Sequence, residues 1–212
     1  MSIVNEISAK LQQGKMKDVK ALITQALEEK VNPKSILEDG LLDGMSVIGE
    51  KFKVNEVYVP EVLIAARAMK AGMEILKPYL VSADVKPAGK VCIGTVKGDL
   101  HDIGKNLVKM MMEGKGLEVV DLGVDVTPEQ FVGAVKEQGC YIICCSALLT
   151  TTMGTMKDVV DLCVAEGIRD NVKVMIGGAP ITDAYCKSIG ADAYTADAAS
   201  AADVALNLCL NK

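Results

Sequence analysis

The chain divides into two regions that differ in the spacing of their apolar residues. Up to about residue 81, apolar positions recur every three or four residues, the spacing that places them on one face of an α-helix. Such segments lie at residues 5–13, 16–30, 33–53 and 59–80. Pro33 and Pro60 suit the first turn of a helix, and Gly14 separates the first two segments. These features predict a small four-helix bundle.

From Lys90 onward, short runs rich in β-branched residues alternate with helical segments. Strands are predicted at Val91–Val96, Glu118–Leu122, Tyr141–Ser146, Lys173–Ile176 and Ala193–Thr195, and helices at Ile103–Glu113, Pro128–Gln138, Met153–Glu166, Asp183–Ile189 and Ala198–Leu210. Strands joined by helices form right-handed βαβ units and a parallel sheet covered on both faces. This alternation predicts an α/β, flavodoxin-like (Rossmann-like) domain with a five-stranded sheet in the order 2-1-3-4-5.

A polar stretch separates the two regions. Residues 82–90 include Pro87 and Gly89, which is typical of a linker. The sequence therefore predicts a helical cap domain at 1–81, a linker at 82–90 and an α/β domain at 91–212. In a sheet of this order, ligands bind beyond the carboxyl ends of the strands, where strands 1 and 3 diverge. His101 follows the first strand and so lies at the expected ligand site.

Charge and composition exclude several functions. The net charge is −5, and no basic face is evident that would neutralise nucleic-acid phosphates. With no Trp, two Phe and five Tyr, the chain also has few side chains on which bases stack. No apolar run reaches the ~18 residues of a membrane span, and the N-terminus does not have the pattern of a signal peptide. We therefore expect a soluble, cytoplasmic protein with neither nucleic-acid nor membrane partners.

The cysteines do not have the spacing of a metal site. None of the seven forms a CxxC pair, and most lie inside apolar runs such as "YIICCSALL". Cys144 and Cys145 are adjacent in a predicted strand, so their side chains point to opposite faces. We interpret the cysteines as buried, reduced thiols rather than as disulfides or zinc ligands.

His101 is the only histidine, and it lies between two aspartates in "GDLHDIGKN". One interpretation is structural: Asp99 or Asp102 caps the following helix, and the histidine merely lies at its entrance. The other is that His101 is a metal ligand or a general base: Asp99 accepts its Nδ1 proton and leaves Nε2 free, for example to bind a metal. One histidine without convincing cysteine partners cannot hold zinc, which needs three or four protein ligands. A single axial ligand suffices for a metal inside a macrocycle, which favours haem or a corrinoid.

Three short motifs follow one another in the α/β region: Asp99-x-His101-x-x-Gly104, Ser146-x-Leu148 and Gly177-Gly178. Their order and spacing resemble the cobalamin-binding domain of methionine synthase and its relatives. A four-helix region before such a domain is the arrangement of methyl-transfer corrinoid proteins, so the resemblance covers nearly the whole chain. The chain is most similar to the small free-standing corrinoid proteins of methylamine, methanol and betaine methyltransferase systems.

The resemblance implies a role for each residue of the loop after strand 1. In this family a histidine replaces the lower base of the cofactor on cobalt, which makes His101 the cobalt ligand through Nε2. Asp99 is then its hydrogen-bond partner, and Asp102 and Gly104 belong to the same cofactor-binding loop. Thr152 matches a hydroxyl residue that extends the relay, where methionine synthase has a serine. From the residues alone, Thr152 is equally suited to be the N-cap of the helix that follows it.

The resemblance implies two further sets of cofactor contacts. The displaced nucleotide tail needs a slot lined by small residues, and the matching positions are Ser146, Leu148, Thr150, Gly177, Gly178 and Ala198. Apolar cap residues that shield the upper face of the corrin match Phe52, Val59 and Val62. From the residues alone, the glycine pair fits an ordinary tight turn, and the three cap residues fit the core of a helix bundle.

The implied activity is that of a methyl carrier. Co(I) accepts a methyl group from a substrate held by a partner methyltransferase, and a second methyltransferase passes it to coenzyme M or tetrahydrofolate. A reductive activase is a further implied partner. The chain has no evident site for cleaving a methyl donor alone, so we interpret it as a non-catalytic corrinoid subunit. Methylamines, methanol, betaines and aryl methyl ethers all stay open as donors.

Three alternatives share part of this pattern. The cobalamin subunit of a radical mutase has the DxHxxG motif but does not normally have the helical cap. A cobalamin-dependent regulator or photoreceptor has both regions, yet it normally adds a DNA-binding domain with a basic recognition helix. A phosphoryl-receiver domain has the same fold class but needs clustered acidic residues at the ends of strands 1 and 3, and after strand 3 this chain has "SALLTTT", without an acid.

Overall fold

The computed structural model describes residues 2–212, which form two compact units. The first consists of the chain up to Pro87 together with residues 114–116, and its secondary structure is helical. The second, Ala88–Glu113 with Leu117–Lys212, contains the sheet and the helices that connect its strands. Within residues 2–212, every helix is too short or too polar to cross a membrane.

The helical unit contains α1 (Ile3–Gln12), α2 (Met16–Glu28), α3 (Pro33–Ser35), α4 (Asp43–Lys53) and α5 (Val59–Ser82). A π-helical segment, Ile36–Leu42, joins α3 to α4, so residues 33–53 form one continuous helical run. The π segment was not predicted, because one wide turn barely changes the apolar spacing. Gly40 within it lies against α1, where an added Cβ would come within 3.2 Å of Ile7 Cγ2.

The helical unit has its own apolar core. Side chains from all the longer helices are fully buried in it, among them Ile7, Leu11, Ile23, Leu41 and Leu76. α5 begins with Pro60 in its first turn, and Glu61 accepts a hydrogen bond from the Tyr58 backbone N–H at 3.0 Å. The N-terminal helical region predicted from the apolar spacing is therefore confirmed.

The second unit is built on a five-stranded parallel sheet. Its strands are β1 (Gly89–Val96), β2 (Leu117–Val126), β3 (Ile142–Ser146), β4 (Lys173–Gly177) and β5 (Ala193–Tyr194). The order across the sheet is β2-β1-β3-β4-β5, which confirms the flavodoxin-like prediction. The connecting and final helices are α6 (Ile103–Gly114), α7 (Pro128–Gln138), α8 (Gly154–Ala165), α9 (Asp183–Ser188) and α10 (Ala198–Leu210). Residues 83–88 lie between α5 and β1.

β2 is longer and less regular than predicted. The expected strand ended at Leu122, but pairing with β1 continues to Val126. The register shifts twice, because Ile93 pairs with Asp121, Gly94 with Gly123, and Val96 with Val126. Gly123 and Asp125 both have positive φ angles, +85° and +55°. A run containing Gly and Asp in this conformation lacks the alternation of a regular strand, so its continuation was not visible in the sequence.

Buried thiols help to fill the core of this unit. Six cysteines are buried, and only Cys209 is partly exposed. Cys92 and Cys145 pack in one cluster with Phe131 and Ile143. Burial raises the pKa of the Cys144 thiol to about 12, so that thiol stays protonated and acts as a small apolar group.

A partly buried ion pair attaches α6 to β2. The Lys105 side chain is only 3% exposed, and its Nζ donates to Asp121 Oδ1 at 2.6 Å and to Asn106 Oδ1 at 2.8 Å. Lys109 Nζ and the Gly123 backbone N–H also donate to the Asp121 carboxylate. Burial opposes the charge of Asp121, but these donors, with Lys105 first, lower its pKa from 3.8 to about 2.

We expect Asp121→Asn to remove a pH-dependent part of the stability. Because the pKa is lowered in the folded state, the stabilisation is complete above the unfolded pKa and is lost as the pH falls towards 2. Urea unfolding at pH 7 should give a free energy about 2 kcal/mol lower for the variant, with a smaller difference at pH 3. The control is Asp161→Asn on α8, where Asp161 forms an exposed ion pair with Lys157. This variant should change the free energy of unfolding by less than about 0.5 kcal/mol. If the variant and the wild type differed equally in free energy of unfolding at pH 7 and pH 3, the stabilisation would not come from the ionised Asp121 carboxylate.

Candidate functional site

The loops after β1, β3 and β4 meet at one edge of the sheet. Parallel strands end at the same edge of the sheet. After β1 the chain crosses towards β2, and after β3 it crosses in the opposite direction, towards β4, so the two connections diverge at this edge. The loop after β1 carries Asp99 and His101, and the loop after β3 carries Leu148 and Thr152. The sequence-predicted residues of these two loops are therefore brought together.

Asp99 is the centre of this arrangement. Its side chain is fully buried, and its two oxygens have separate partners. Oδ1 accepts from the His101 backbone N–H at 3.0 Å and lies 2.7 Å from His101 Nδ1. Oδ2 accepts from the Leu148 N–H at 2.8 Å, the Leu149 N–H at 3.1 Å and the Thr152 hydroxyl at 3.1 Å. One carboxylate therefore joins the loop after β1 to the loop after β3.

The charge on Asp99 determines which nitrogen of His101 carries the proton. Burial opposes ionisation, but the hydrogen bonds from His101, Leu148 and Leu149 lower the pKa of Asp99 well below its usual range. An ionised carboxylate can only accept, so the neutral imidazole must donate from Nδ1. Nε2 then carries a free lone pair, and the histidine side chain is 52% exposed. This is the state in which histidine binds a metal.

The backbone of His101 is also anchored. Thr95 is fully buried, and its hydroxyl donates to the His101 carbonyl oxygen at 2.8 Å. Asp102, which follows, accepts from the Asn106 side chain at 3.0 Å and from the Asn106 backbone N–H at 2.8 Å. Those bonds belong to the start of α6, and no hydrogen bond joins Asp102 to His101 among the described contacts. Of the two aspartates that flank the histidine, Asp99 is the one that orients it.

Thr152 does not cap the helix that follows it. It ends a short 3-10 turn, Thr150–Thr152, and α8 begins two residues later, at Gly154. Its hydroxyl lies 3.1 Å from Asp99 Oδ2 and 2.9 Å from the Leu149 carbonyl oxygen. The N-cap interpretation is therefore wrong, because the hydroxyl donates within the site instead of accepting from the first turn of the helix.

The two glycines after β4 have different surroundings. Gly178 has a φ of +132°, and an added Cβ would lie 1.8 Å from the Ala147 carbonyl oxygen. Gly177 pairs with Ser146 of β3, and an added Cβ there would meet no atom within 4 Å. Gly178 is thus required by the fold, whereas Gly177 borders open space. Only at Gly178 is the tight-turn interpretation supported.

The site fits a flat, largely apolar group with one open coordination position. Apolar side chains beside His101 are exposed: Leu100 is 70%, Ile103 79% and Leu148 45% exposed. Gly104 and Gly177 leave open space at the same edge of the sheet. In residues 2–212, no cluster of three or more His, Cys, Asp or Glu side chains could hold a bare metal ion. A macrocycle that brings its own equatorial ligands meets these conditions, and a zinc ion does not.

The other predicted contact residues are distributed more widely. Ala198 is buried at the start of α10, and Thr150 is exposed in the turn after β3. Phe52, Val59 and Val62 belong to the helical unit, where Val62 is fully buried and the other two are partly buried. No contact in the described structure identifies a ligand for these residues, and their roles stay predictions.

Sequence reasoning missed three contributors to this site. They are the Thr95 hydroxyl, the Leu149 backbone N–H and Asp125, whose carboxylate accepts from the Gly98 N–H at 2.7 Å. Thr95 resembled an ordinary strand residue, and a backbone N–H has no signal in the sequence. Asp125 lay beyond the predicted end of β2, so the one available signal, an Asp at the carboxyl end of a strand, was not used.

Comparison with known proteins agrees with this site. Two family models, each described as a B12 binding domain, match residues 89–206 and 3–77. Dimethylamine corrinoid protein 2 of Methanosarcina acetivorans is 40% identical over 211 residues, which cover 99% of this chain and 97% of the relative. Trimethylamine corrinoid protein 1 of the same organism is 43% identical over 172 residues, 80% of each chain. The chain therefore belongs to the family of corrinoid proteins with B12 binding domains.

Two solved structures resemble the whole chain. One is the methanol:cobalamin methyltransferase complex MtaBC of Methanosarcina barkeri, with a TM-score of 0.90, 30% identity, and coverage of 99% of this chain and 80% of that chain. The other is a cobalamin-binding protein of Desulfitobacterium hafniense, with a TM-score of 0.80, 30% identity, and coverage of 96% and 97%. The cofactor of this protein is thus cobalamin or a related corrinoid.

Proposed function

We propose that this protein carries a methyl group between two methyltransferases, the first of which holds a methylated amine. The observation that carries the proposal is the Asp99–His101 pair, with a 2.7 Å bond at Nδ1 and an exposed ring. Relatives named for dimethylamine and trimethylamine are 38–43% identical to this chain, against 30% for the methanol complex, which supports an amine donor. The acceptor of the second transfer is coenzyme M or tetrahydrofolate.

Each loop residue has a physical role in this proposal. His101 would hold the cobalt of the corrinoid through Nε2, and Asp99 would fix the ring and keep Nδ1 protonated. Thr152 donates to Asp99, which limits where that carboxylate can move. When bound, the corrinoid supplies the cobalt that accepts and releases the methyl group.

Small residues would hold the nucleotide tail of the cofactor. Ser146 and Gly177 face each other at the ends of β3 and β4, and neither has a bulky side chain. Thr150 and Ala198 are further tail contacts in this proposal, in accordance with the family resemblance. In accordance with the family resemblance, the helical region up to residue 81 would act as the cap, and Phe52, Val59 and Val62 would be its apolar cofactor contacts.

Reconstitution with alternative donors tests the function. The chain would be loaded with hydroxocobalamin and mixed with a reductive activase, a coenzyme M methyltransferase, and a methyltransferase specific for dimethylamine, trimethylamine or methanol. Methylated coenzyme M should form with an amine and its methyltransferase, and not when this chain is omitted. If methylated coenzyme M formed with methanol and its methyltransferase but with neither amine, the amine assignment would be overturned. If methyl transfer occurs only with a tetrahydrofolate methyltransferase, the acceptor is identified instead.

Replacement of His101 tests the ligand assignment directly. After loading with hydroxocobalamin and desalting, His101→Gly should retain corrinoid but have a visible spectrum without histidine coordination. The physical reason is that Nε2 is the coordinating atom left free by Asp99. Lys97→Ala, an exposed change in the same loop, should keep the wild-type spectrum. Identical spectra for the wild type and His101→Gly would show that His101 is not the cobalt ligand.

A further inference from the structure

The irregular end of β2 contacts the loop that carries the histidine. Asp125 Oδ1 accepts from the Gly98 backbone N–H at 2.7 Å. The Asp125 backbone N–H donates to the Asp99 carbonyl oxygen at 3.1 Å. These two bonds enclose Gly98 and Asp99, because one fixes the peptide group before Gly98 and the other fixes the peptide group after Asp99. Asp125 is 27 residues away along the chain, so the contact is tertiary.

The backbone of Asp125 adopts a conformation that is uncommon for residues other than glycine. Its φ is +55°, in the left-handed region that most side chains avoid. Asp tolerates this region better than most residues, but it persists only where surrounding contacts fix it. Gly98 opposite it also has a positive φ, +85°. The loop and the strand end are therefore joined at two positions where the backbone of each turns through a positive φ.

We propose that Asp125 is a positioning residue for the cobalt ligand. By fixing the backbone at Gly98 and Asp99, it sets the position and orientation of the Asp99 carboxylate, which in turn orients the His101 ring. Thr95 anchors the other end of the same turn through the His101 carbonyl oxygen. Asp125 has no described contact with the imidazole and acts only through the backbone. The inference rests on the proposed ligation of cobalt by His101.

Three variants separate the hydrogen bond from the backbone conformation. Asp125→Gly keeps access to the positive φ but removes the acceptor for Gly98. Asp125→Asn keeps an acceptor oxygen and also tolerates the left-handed region. Asp84→Gly is the matched control, because Asp84 is an exposed aspartate with a φ of +51° in the segment before β1.

The readouts are hydroxocobalamin affinity and the spectroscopic signature of histidine ligation in the bound protein. Asp125→Gly should bind with about tenfold lower affinity, and a clear fraction of its bound corrinoid should lack histidine coordination, since outer partners of ligands typically matter by about 10–100-fold. Asp125→Asn should restore both values to within about threefold of wild type. Asp84→Gly should match the wild type.

Several outcomes would overturn the inference. They are an unchanged spectrum and affinity in Asp125→Gly, or a loss in Asp125→Asn as large as in Asp125→Gly. A second measurement applies if Asp125→Gly does not fold: the exposed Gly98 amide should exchange its hydrogen slowly in the wild type, and fast exchange there would contradict the bond. The wild-type spectrum compared with His101→Gly is recorded first, so failure of the ligation proposal is distinguished from failure of the Asp125 inference.

Discussion

Asp99→Ala is expected to lower the free energy of unfolding of the cofactor-free protein by about 3–5 kcal/mol. The carboxylate is fully buried and accepts from His101, from the Leu148 and Leu149 N–H groups and from Thr152. Alanine would leave the backbone N–H donors facing a small cavity, and each unsatisfied buried donor costs about 1–3 kcal/mol. The Thr152 hydroxyl would still have the Leu149 carbonyl oxygen 2.9 Å away, and the exposed His101 ring could bond to water. Water entering the cavity recovers part of that cost, which is why the sum is not reached.

Urea unfolding monitored by circular dichroism checks this expectation. Asp158→Ala, an exposed carboxylate on α8, is the control and should change the free energy by less than about 0.5 kcal/mol. Because the pKa of Asp99 is lowered in the folded state from the ordinary value of 3.8, its contribution is complete above that value and declines as the pH falls below it. The variant should therefore differ most from the wild type at neutral pH. A loss below about 1 kcal/mol would show that the carboxylate does not organise the two loops.

This role is larger than the sequence indicated. The spacing Asp99-x-His101 predicts only that Asp99 is the hydrogen-bond partner of the histidine. The structure adds two backbone donors, the Leu148 and Leu149 N–H groups, from a loop about 50 residues away along the chain. Contacts with backbone groups have no residue-type signature, so the sequence could not predict them. The same carboxylate thus supports both the fold and the proposed ligand geometry.

The elements that were predicted well are those with an unambiguous local signal. β1 and β3 are buried apolar runs, and their limits agree with the prediction to within two residues. α7 has its predicted limits, Pro128–Gln138, and the structure shows why they are sharp: Thr127 and Gln130 form a capping box, and Gly139 ends the helix with a φ of +71°. The end of β2 and the π segment were missed, since bulges and wide turns depend on tertiary packing and not on local periodicity.

The site divides in the same way. The Asp99–His101 pair and the Thr152 hydroxyl were predicted from spacing and resemblance, and the structure places them within hydrogen-bonding distance of each other. Thr95 and Asp125 were not predicted, because their side chains bond to backbone groups of the loop, and only the folded path of the chain brings those groups near them. The sequence assigned the same role to the two glycines after β4, whereas the structure gives them different surroundings. Substituting each glycine in turn tests this difference.

Gly178→Ala is expected to cost about 4–5 kcal/mol of stability or to prevent folding. A Cβ at this position would lie 1.8 Å from the Ala147 carbonyl oxygen, a backbone atom that cannot rotate away. The φ of +132° is also a conformation that only glycine adopts without strain. Because Ala147 follows β3, relief of the clash requires β3 and β4 to separate at the site. Thermal and urea unfolding of the cofactor-free protein measure the loss.

Gly177→Ala is the matched control, and it reports on the ligand instead of the fold. Its Cβ would meet no protein atom within 4 Å, so the free energy of unfolding should change by less than about 1 kcal/mol. If the nucleotide tail of the corrinoid occupies that open space, the methyl group should lower hydroxocobalamin affinity about tenfold. Near wild-type stability of Gly178→Ala would contradict the described turn after β4. Unchanged affinity of a folded Gly177→Ala would mean that the tail lies elsewhere, without affecting the ligation of cobalt by His101.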